Sequence, residues 1–255
     1  YMATLNKIPT LIQEQNSHAG LTNKWLSKSV STICVAYEGM DKFFPKDKIV
    51  LAGNPVRKDI FQDSTQSKEA YAFFKLNPNK KTLLVIGGSL GAKTVNESIL
   101  SGLEQLWAAD TQLIWQTGGF YHTRIMSEMK TPWDERLRMY DFIKEMQYAY
   151  TVADVVVSRA GALSISELML SAKPSILIPS PNVAEDHQKV NAQKLILGRA
   201  ALMVPDALAG TILVKTALSL LSDEEQQKEL SKNISAMGRP NAARDIAKKV
   251  IELVA

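Results

Sequence analysis

Short apolar runs recur along the chain, each followed by a turn and then by apolar positions three and four residues apart. Thr10–Gln13, Thr32–Ala36 and Ile49–Ala52 read as strands, with a helix over Leu21–Lys28 between the first two. A second alternation begins at Lys81. It predicts strands over Thr82–Ile86, Gln112–Gln116, Leu137–Phe142, Asp154–Ser158, Ser175–Ile178 and Ala201–Val204. Between them fall helices over Lys93–Leu106, Phe120–Met129, Met146–Val152, Ser164–Ser171 and Asp186–Leu197. Helices over Ala207–Leu221, Asp223–Met237 and Ala242–Leu253 close the chain. Strands alternating with amphipathic helices imply an α/β fold, with parallel sheets and right-handed crossovers. The ligands of such sheets lie beyond the carboxyl ends of the strands, where every glycine turn singled out below falls.

A polar stretch, Arg57–Asn79, carries one helix around Lys68–Phe74 and separates the two alternations. Asn54-Pro55 marks a turn, so the boundary is placed there, with residues 1–56 as one unit and 57–255 as the other. At the start, Tyr1–Lys7 reads as the end of a helix and Pro9–Gln13 as a buried strand, with nothing before them to pair with or to cap. The chain therefore reads as a piece of a longer protein.

The segment from Val155 to Met169 carries the most chemistry. An apolar strand ends in Ser158-Arg159-Ala160-Gly161, and a helical pattern begins at once. Free N–H groups and the dipole at such a helix start make an anion site. Glu167, one turn in, is unsuited to an anion and suited to a diol such as a ribose. Ser164 and Glu167 are equally well spaced for a capping box, in which both would serve only the helix end.

Gly87-Gly88-Ser89-Leu90-Gly91-Ala92 follows another strand and opens a helix. Its spacing is neither that of a Walker A loop nor that of the dinucleotide fingerprint. It is either a phosphate-approaching loop with Ser89 as donor or a tight turn. Gln116-Thr117-Gly118-Gly119 reads as a plain turn. At Phe142-Ile143 the main chain could read a flat base, or the pair could be core. Glu185, Asp186, His187, Gln188 and Asn191 gather polar groups at a helix start, suiting sugar hydroxyls or simply a solvated first turn. Glu14-Gln15-Asn16 leads into Gly20–Lys24 as a helix-capping loop or a second ligand surface facing the first across a cleft.

Composition narrows the field. The 255 residues are 45% hydrophobic, with 30 basic and 26 acidic side chains. A net charge of +4, scattered and without a basic block, gives no case for nucleic acid but favours anionic ligands or an anionic membrane surface. The single cysteine, Cys34, excludes an internal disulfide framework and fits a reducing compartment. No apolar run is long enough to span a bilayer, and no signal peptide is visible. One histidine with carboxylates nearby lacks a second His or Cys at ligand spacing, so no metal is expected, and no hydrolase elbow is present.

In their order and spacing, the motifs QEQNSHAGLTNK, AGNPVR, GGSLGA, SRAGALSISEL and DHQKVNA resemble the MurG family of glycosyltransferases, over essentially the whole chain. The resemblance implies a GT-B fold of two Rossmann-like domains with the active site between them. It implies transfer of N-acetylglucosamine from UDP-N-acetylglucosamine, with inversion, to the muramyl 4-hydroxyl of the undecaprenyl-linked peptidoglycan precursor. It implies no cofactor, and a peripheral location at the cytoplasmic face of the bacterial inner membrane, approached through the first domain. Carried over by position, Ser89 would contact the donor diphosphate, with the N–H groups of Ala162, Leu163 and Ser164. The Ile143 main chain would hold the uracil beside Phe142, and Glu167 the ribose. Gln188 would meet the sugar hydroxyls, with His187 where some members have a second glutamine. Asn16 and Arg57 would face the cleft. The early glycine-rich loops of the family, and the histidine there proposed as a base, have no counterpart here, so the catalytic base stays unassigned and the piece is expected to bind donor rather than turn over. Two other readings stay open: another GT-B enzyme using a UDP-sugar, such as a glycolipid glycosyltransferase or an epimerase, and a non-catalytic nucleotide-sugar-binding module.

Overall fold

The computed structural model describes residues 1–60, 67–129, 134–183 and 186–254. Two all-parallel sheets organise it. The smaller holds β1 (Leu11–Glu14), β2 (Thr32–Val35) and β3 (Ile49–Leu51) in that order, with α1 (Met2–Leu5) before β1 and α2 (Leu21–Leu26) after it. A short helix, α3 (Ser67–Phe74), leads to the larger sheet. Its strands are β4 (Thr82–Ile86), β5 (Gln112–Gln116), β6 (Leu137–Tyr140), β7 (Val155–Ser158), β8 (Ser175–Leu177) and β9 (Leu202–Met203). They lie in the order β6-β5-β4-β7-β8-β9, so the direction of winding reverses between β4 and β7.

The helices of this unit are α4 (Lys93–Ser101), α5 (Leu103–Ala108), α6 (Gly119–Glu128), α7 (Met146–Val152), α8 (Ala162–Ser171), α9 (His187–Leu197), α10 (Ala209–Ser222), α11 (Glu224–Ala236) and α12 (Ala242–Glu252). The period-two alternation of the central strands sends side chains to two separate cores. Leu83, Val85, Leu113, Trp115, Val155 and Val157 pack with α4 and α10 on one face. Leu84, Ile86, Ile114 and Val156 pack with α7, α8 and α9 on the other. Strands covered on both faces must be apolar throughout, which is why β4 and β7 read as unbroken runs.

Three details differ from expectation. The helix read over Lys93–Leu106 breaks at Gly102, where a Cβ would sit 2.4 Å from Val214 of α10. The strand read to Phe142 stops at Tyr140, because the Asp141 carboxylate turns the chain by accepting from the Phe142 N–H at 2.7 Å. The strand read as buried at Pro9–Gln13 is only half-buried over Leu11–Gln13, its burial beginning at Glu14.

The two units are held together by buried amides. Asn191, on α9 and fully buried, accepts from the Ser17 N–H at 2.9 Å and from the Ser17 hydroxyl at 3.0 Å. It donates to Asn16 Oδ1 at 3.0 Å. Asn54, past β3, donates to the Gln15 carbonyl at 3.0 Å and to Ser166 Oγ of α8 at 3.1 Å, and accepts from Gln13 Nε2 at 2.8 Å. The chain then returns to the small sheet before α12: a Cβ on Gly53 would lie 2.4 Å from Arg239 Cβ and 3.4 Å from Ala242 Cβ.

Asn191→Ala would strand both Ser17 donors in a dry seam, and the expected loss is about 3 kcal/mol. Denaturant melts of the variant against the parent measure it; a loss below about 1 kcal/mol would remove this bond from the account. Gly118→Ala is expected to cost as much for a different reason. Its φ of +82° excludes a side chain, and a Cβ would lie 2.2 Å from the Gly91 nitrogen. A variant melting like the parent would show that the two loops do not need this contact.

Candidate functional site

The loops after β4 and β7 leave neighbouring strands, Ile86 being paired in register with Ser158. Their helices then pack on opposite faces of the sheet, α4 in one core and α8 in the other. The loops must diverge, and a crevice opens between them, which is where open α/β sheets bind ligands.

One wall is the β4 loop. Gly88 and Gly91 take φ of +83° and +80°, turning the main chain outward, and Ser89 and Leu90 at its tip are exposed. A Cβ on Gly88 would meet nothing within 4 Å, so its backbone borders open space. The loop is braced from behind. A Cβ on Gly91 would lie 2.1 Å from the Thr117 carbonyl, so the Gln116–Gly119 turn touches it backbone to backbone. Read in isolation as a plain turn, that segment is the support of the neighbouring loop. Thr117 is itself held by Asn96, whose amide donates to the Thr117 carbonyl at 2.8 Å and accepts from Trp115 Nε1 at 3.0 Å.

The opposite wall is the start of α8. Gly161 is the cap residue and no side chain caps the helix. The first intrahelical bond runs from the Ile165 N–H to the Gly161 carbonyl at 2.9 Å. The N–H groups of Ala162, Leu163 and Ser164 therefore precede the helical ladder and, among the described residues, meet no backbone acceptor. The capping-box alternative for Ser164 and Glu167 is overturned. Ser164 is the third residue of the helix, not its cap, no side chain caps the helix, and the Glu167 carboxylate is engaged by Tyr150.

The Glu167 carboxylate is half-buried and accepts from the Tyr150 hydroxyl at 2.9 Å. Burial pushes its pKa up, against the pull of the Tyr150 hydrogen bond and of the Arg57 charge. Arg57 is exposed, paired with Asp59 at 3.6 Å, and close enough to Glu167 for its charge to be felt. Tyr150 is wholly buried, and burial beside this carboxylate holds its phenol well above the usual range.

Gln116 ties the third loop to the first. Its amide donates to the Gly88 carbonyl at 3.3 Å and accepts from the Ile143 N–H at 3.1 Å. Ile143 is buried and Phe142, 51% exposed, projects beside it. A base reading the main chain here finds the Ile143 carbonyl, and reaches the N–H only by displacing Gln116.

At the far end, Gln188 accepts from the Ser180 N–H at 2.9 Å, which leaves its amide nitrogen to donate. The His187 ring lies 6.1 Å from that of His18, across the seam between the units. Asn16 approaches from the small sheet, its amide oxygen engaged by Asn191. Asn191 itself, grouped with the sugar-facing residues in the sequence, is spent on the seam. Glu185 lies outside the described residues. Arg159 in the β7 loop turns away to pair with Asp206 and to donate to the Ile178 carbonyl at 3.1 Å.

Ser89 and the N–H groups of Ala162–Ser164 thus follow neighbouring strands, Ile143 is tied to the Gly88 loop through Gln116 with Phe142 exposed beside it, Glu167 is joined to Tyr150, and Asn16 and His187 meet the seam between the units. Sequence reasoning passed over Gln116 and Tyr150. Gln116 carried a signal, a buried amide ending an apolar strand. Tyr150 carried none, since it reads as an ordinary core position.

Residues 82–250 match the glycosyltransferase family 28 C-terminal domain. The chain is 50% identical over 254 residues to the UDP-N-acetylglucosamine–N-acetylmuramyl-(pentapeptide) pyrophosphoryl-undecaprenol N-acetylglucosamine transferase of Parabacteroides distasonis, covering 100% of this chain and 69% of that protein. The enzyme of the same name from Cytophaga hutchinsonii is 53% identical over 252 residues, covering 99% and 67%. The crystal structure of Acinetobacter baumannii MurG superposes with a TM-score of 0.77 at 26% identity, over 98% of this chain and 68% of that one. The fold is shared more widely: the UDP-GlcNAc 2-epimerase of Neisseria meningitidis gives a TM-score of 0.69 at 15% identity, over 98% and 71%. Whole-length identity to these transferases, with the family's domain starting at the first residue of β4, makes the chain a member of glycosyltransferase family 28, of the GT-B fold and the MurG branch.

Proposed function

We propose that the crevice between the β4 loop and the start of α8 binds UDP-N-acetylglucosamine. We further propose that the protein transfers its sugar to the muramyl 4-hydroxyl of an undecaprenyl-diphosphate-linked pentapeptide. The observation that carries this is the uncapped start of α8. Three consecutive N–H groups precede the helical ladder there, and a half-buried carboxylate stands one turn behind them. The N–H groups suit a diphosphate, and hydrogen bonds to a charged partner are worth about 1.5–3 kcal/mol each. Glu167 suits the vicinal hydroxyls of a ribose, and Ser89 completes the diphosphate cradle from the opposite wall. Phe142 and the Ile143 main chain flank the base, and Gln188 and His187 the sugar.

The acceptor hydroxyl attacks the anomeric carbon from the face opposite the diphosphate, its proton passing to a base, and UDP leaves with inversion. Negative charge grows on the leaving phosphate. Fixed N–H dipoles stabilise that charge without reorganising as it forms. We assign no general base among the described residues.

We place the division at residue 56, between the two sheets, so that the first unit, with Asn16 at its rim, would face the acceptor and Arg57 would stand just across the boundary. Among the described residues no helix is long and apolar enough to cross a membrane. A lipid acceptor would be met at the cytoplasmic membrane surface, through the first unit.

Because the chain spans about two thirds of the length of its relatives, donor binding and transfer are tested apart. Calorimetric titration should show UDP-N-acetylglucosamine binding with UDP-glucose weaker, and transfer to the lipid acceptor by these 255 residues alone should be slight. No heat from a folded sample at millimolar donor would refute the site, and turnover by the chain alone would show that it holds the base. Glu167→Ala should lower donor affinity tenfold to a hundredfold, about 1.4–2.8 kcal/mol. Unchanged affinity in a folded variant would take Glu167 out of the site.

The raised pKa of Glu167 fixes a sign. Its burial contributes stability at low pH that is lost as pH rises through the elevated folded value. Glu167→Gln, which keeps the acceptor for Tyr150 and discards the charge, should therefore melt no lower than the parent at neutral pH while binding UDP more weakly. Donor affinity of the parent should fall on acidification through that pKa. Tyr150→Phe, which removes a hydrogen bond to the charged form, should move the fall to higher pH. A Tyr150→Phe profile superposing on the parent would separate Tyr150 from the ribose carboxylate.

A further inference from the structure

A cavity of about 320 Å³ lies in the seam between the two units. That volume is at the lower end of the range for small-molecule sites. Its apolar wall is built from both units: Ala36 and Leu51 from the small sheet, Met169 from α8 and Met237 from the end of α11. Two methionines make a wall that adapts its shape to an apolar body.

The polar side of the cavity is asymmetric in charge. Arg239 at the rim faces Glu38, with 3.6 Å between Nη2 and Oε1. Lys194 of α9 also lines the space, its Nζ lying 3.7 Å from where a Cβ on Gly39 would stand. Among the described residues no carboxylate lies within salt-bridge distance of Lys194. The lining is therefore one positive charge in excess. Tyr37 completes it. Only 5% of this residue is exposed, and its buried hydroxyl makes no hydrogen bond among the described residues. Tyr37 therefore contributes its ring to the wall, with the hydroxyl shut away from the cavity.

A narrower space continues from the cavity past Tyr37 toward Asn54 and Ser166. The Ser166 hydroxyl donates to the Ala162 carbonyl at 2.9 Å, so the seam ends on the first turn of α8.

We propose that this seam cavity is a second binding site, for a small amphipathic anion. Its carboxylate would be met by Lys194 and Arg239. Its apolar body would lie against Met169, Met237, Leu51 and Ala36. The site is separate from the donor crevice and does not rest on the assignment of the donor.

Octanoate is the probe and octylamine, of similar length and opposite charge, the control. Both are titrated calorimetrically into the purified protein, with and without saturating UDP-N-acetylglucosamine. Octanoate is expected to bind at least tenfold more tightly than octylamine, and to do so in the presence of the nucleotide sugar. Lys194→Met, which keeps the apolar stem, should weaken octanoate at least fivefold without lowering the melting temperature. Ala236→Trp, which fills the cavity from its rim, should abolish binding and serves as the test if Lys194→Met is poorly folded. The proposal is overturned if octanoate gives no heat at millimolar concentration, or if octylamine binds equally well. It is overturned too if the nucleotide sugar displaces octanoate, or if neither variant changes octanoate affinity.

Discussion

The crevice exists because β4 and β7 are neighbours whose following helices must cover opposite faces of one sheet. A sheet that buries both faces needs helices on both, and a chain that winds outward in two directions from its centre leaves one place where consecutive turns part. Here one of the two loops that part runs into an uncapped helix start. The same constraint that closes the hydrophobic cores therefore opens the polar site. No loop had to be strained apart to make it.

What keeps the crevice in shape is mostly not in it. Gly91 and Gly118 let two loops touch backbone to backbone, so neither can sag into the space between. Gln116 spans from the Gly88 carbonyl to the Ile143 N–H, joining the first and third walls with one side chain. Glu167 is a different case. Its burial costs stability in the charged form, as its raised pKa records. A core position would more cheaply hold a leucine or glutamine. Retaining a carboxylate there, oriented by a buried tyrosine, is the local frustration expected of a binding residue rather than of a structural one.

The seam between the units is pinned by amides beside an apolar patch in which Ala36, Tyr37 and Val56 join the core of the large sheet. Asn191 satisfies both ends of its side chain across it, and Asn54 reaches across it to Ser166 Oγ. Such bonds are directional, so they set the angle between the sheets more sharply than side-chain packing alone would. They are also few, which leaves room in the same seam for the cavity beside Tyr37 and Lys194.

By itself the sequence determined the strands of the large sheet, because parallel strands buried on both faces must be apolar runs. It determined the glycine loops as well, because positive φ and backbone contact exclude side chains at Gly88, Gly91 and Gly118. The ordered motifs identified the family, which the relatives bear out. Only the tertiary structure decided which polar residues face the crevice and which are spent in holding it. Ser164 and Glu167 have capping-box spacing, yet Gly161 is the cap, since the chain entering from β7 is already extended there. Asn191 reads like a sugar ligand, yet its partner is Ser17, 174 residues earlier. A break at Gly102 came from the approach of Val214. Local patterning reports the period and the turn chemistry of a segment. The partner of a buried polar group comes from wherever the fold brings the chain back, and no local pattern encodes it.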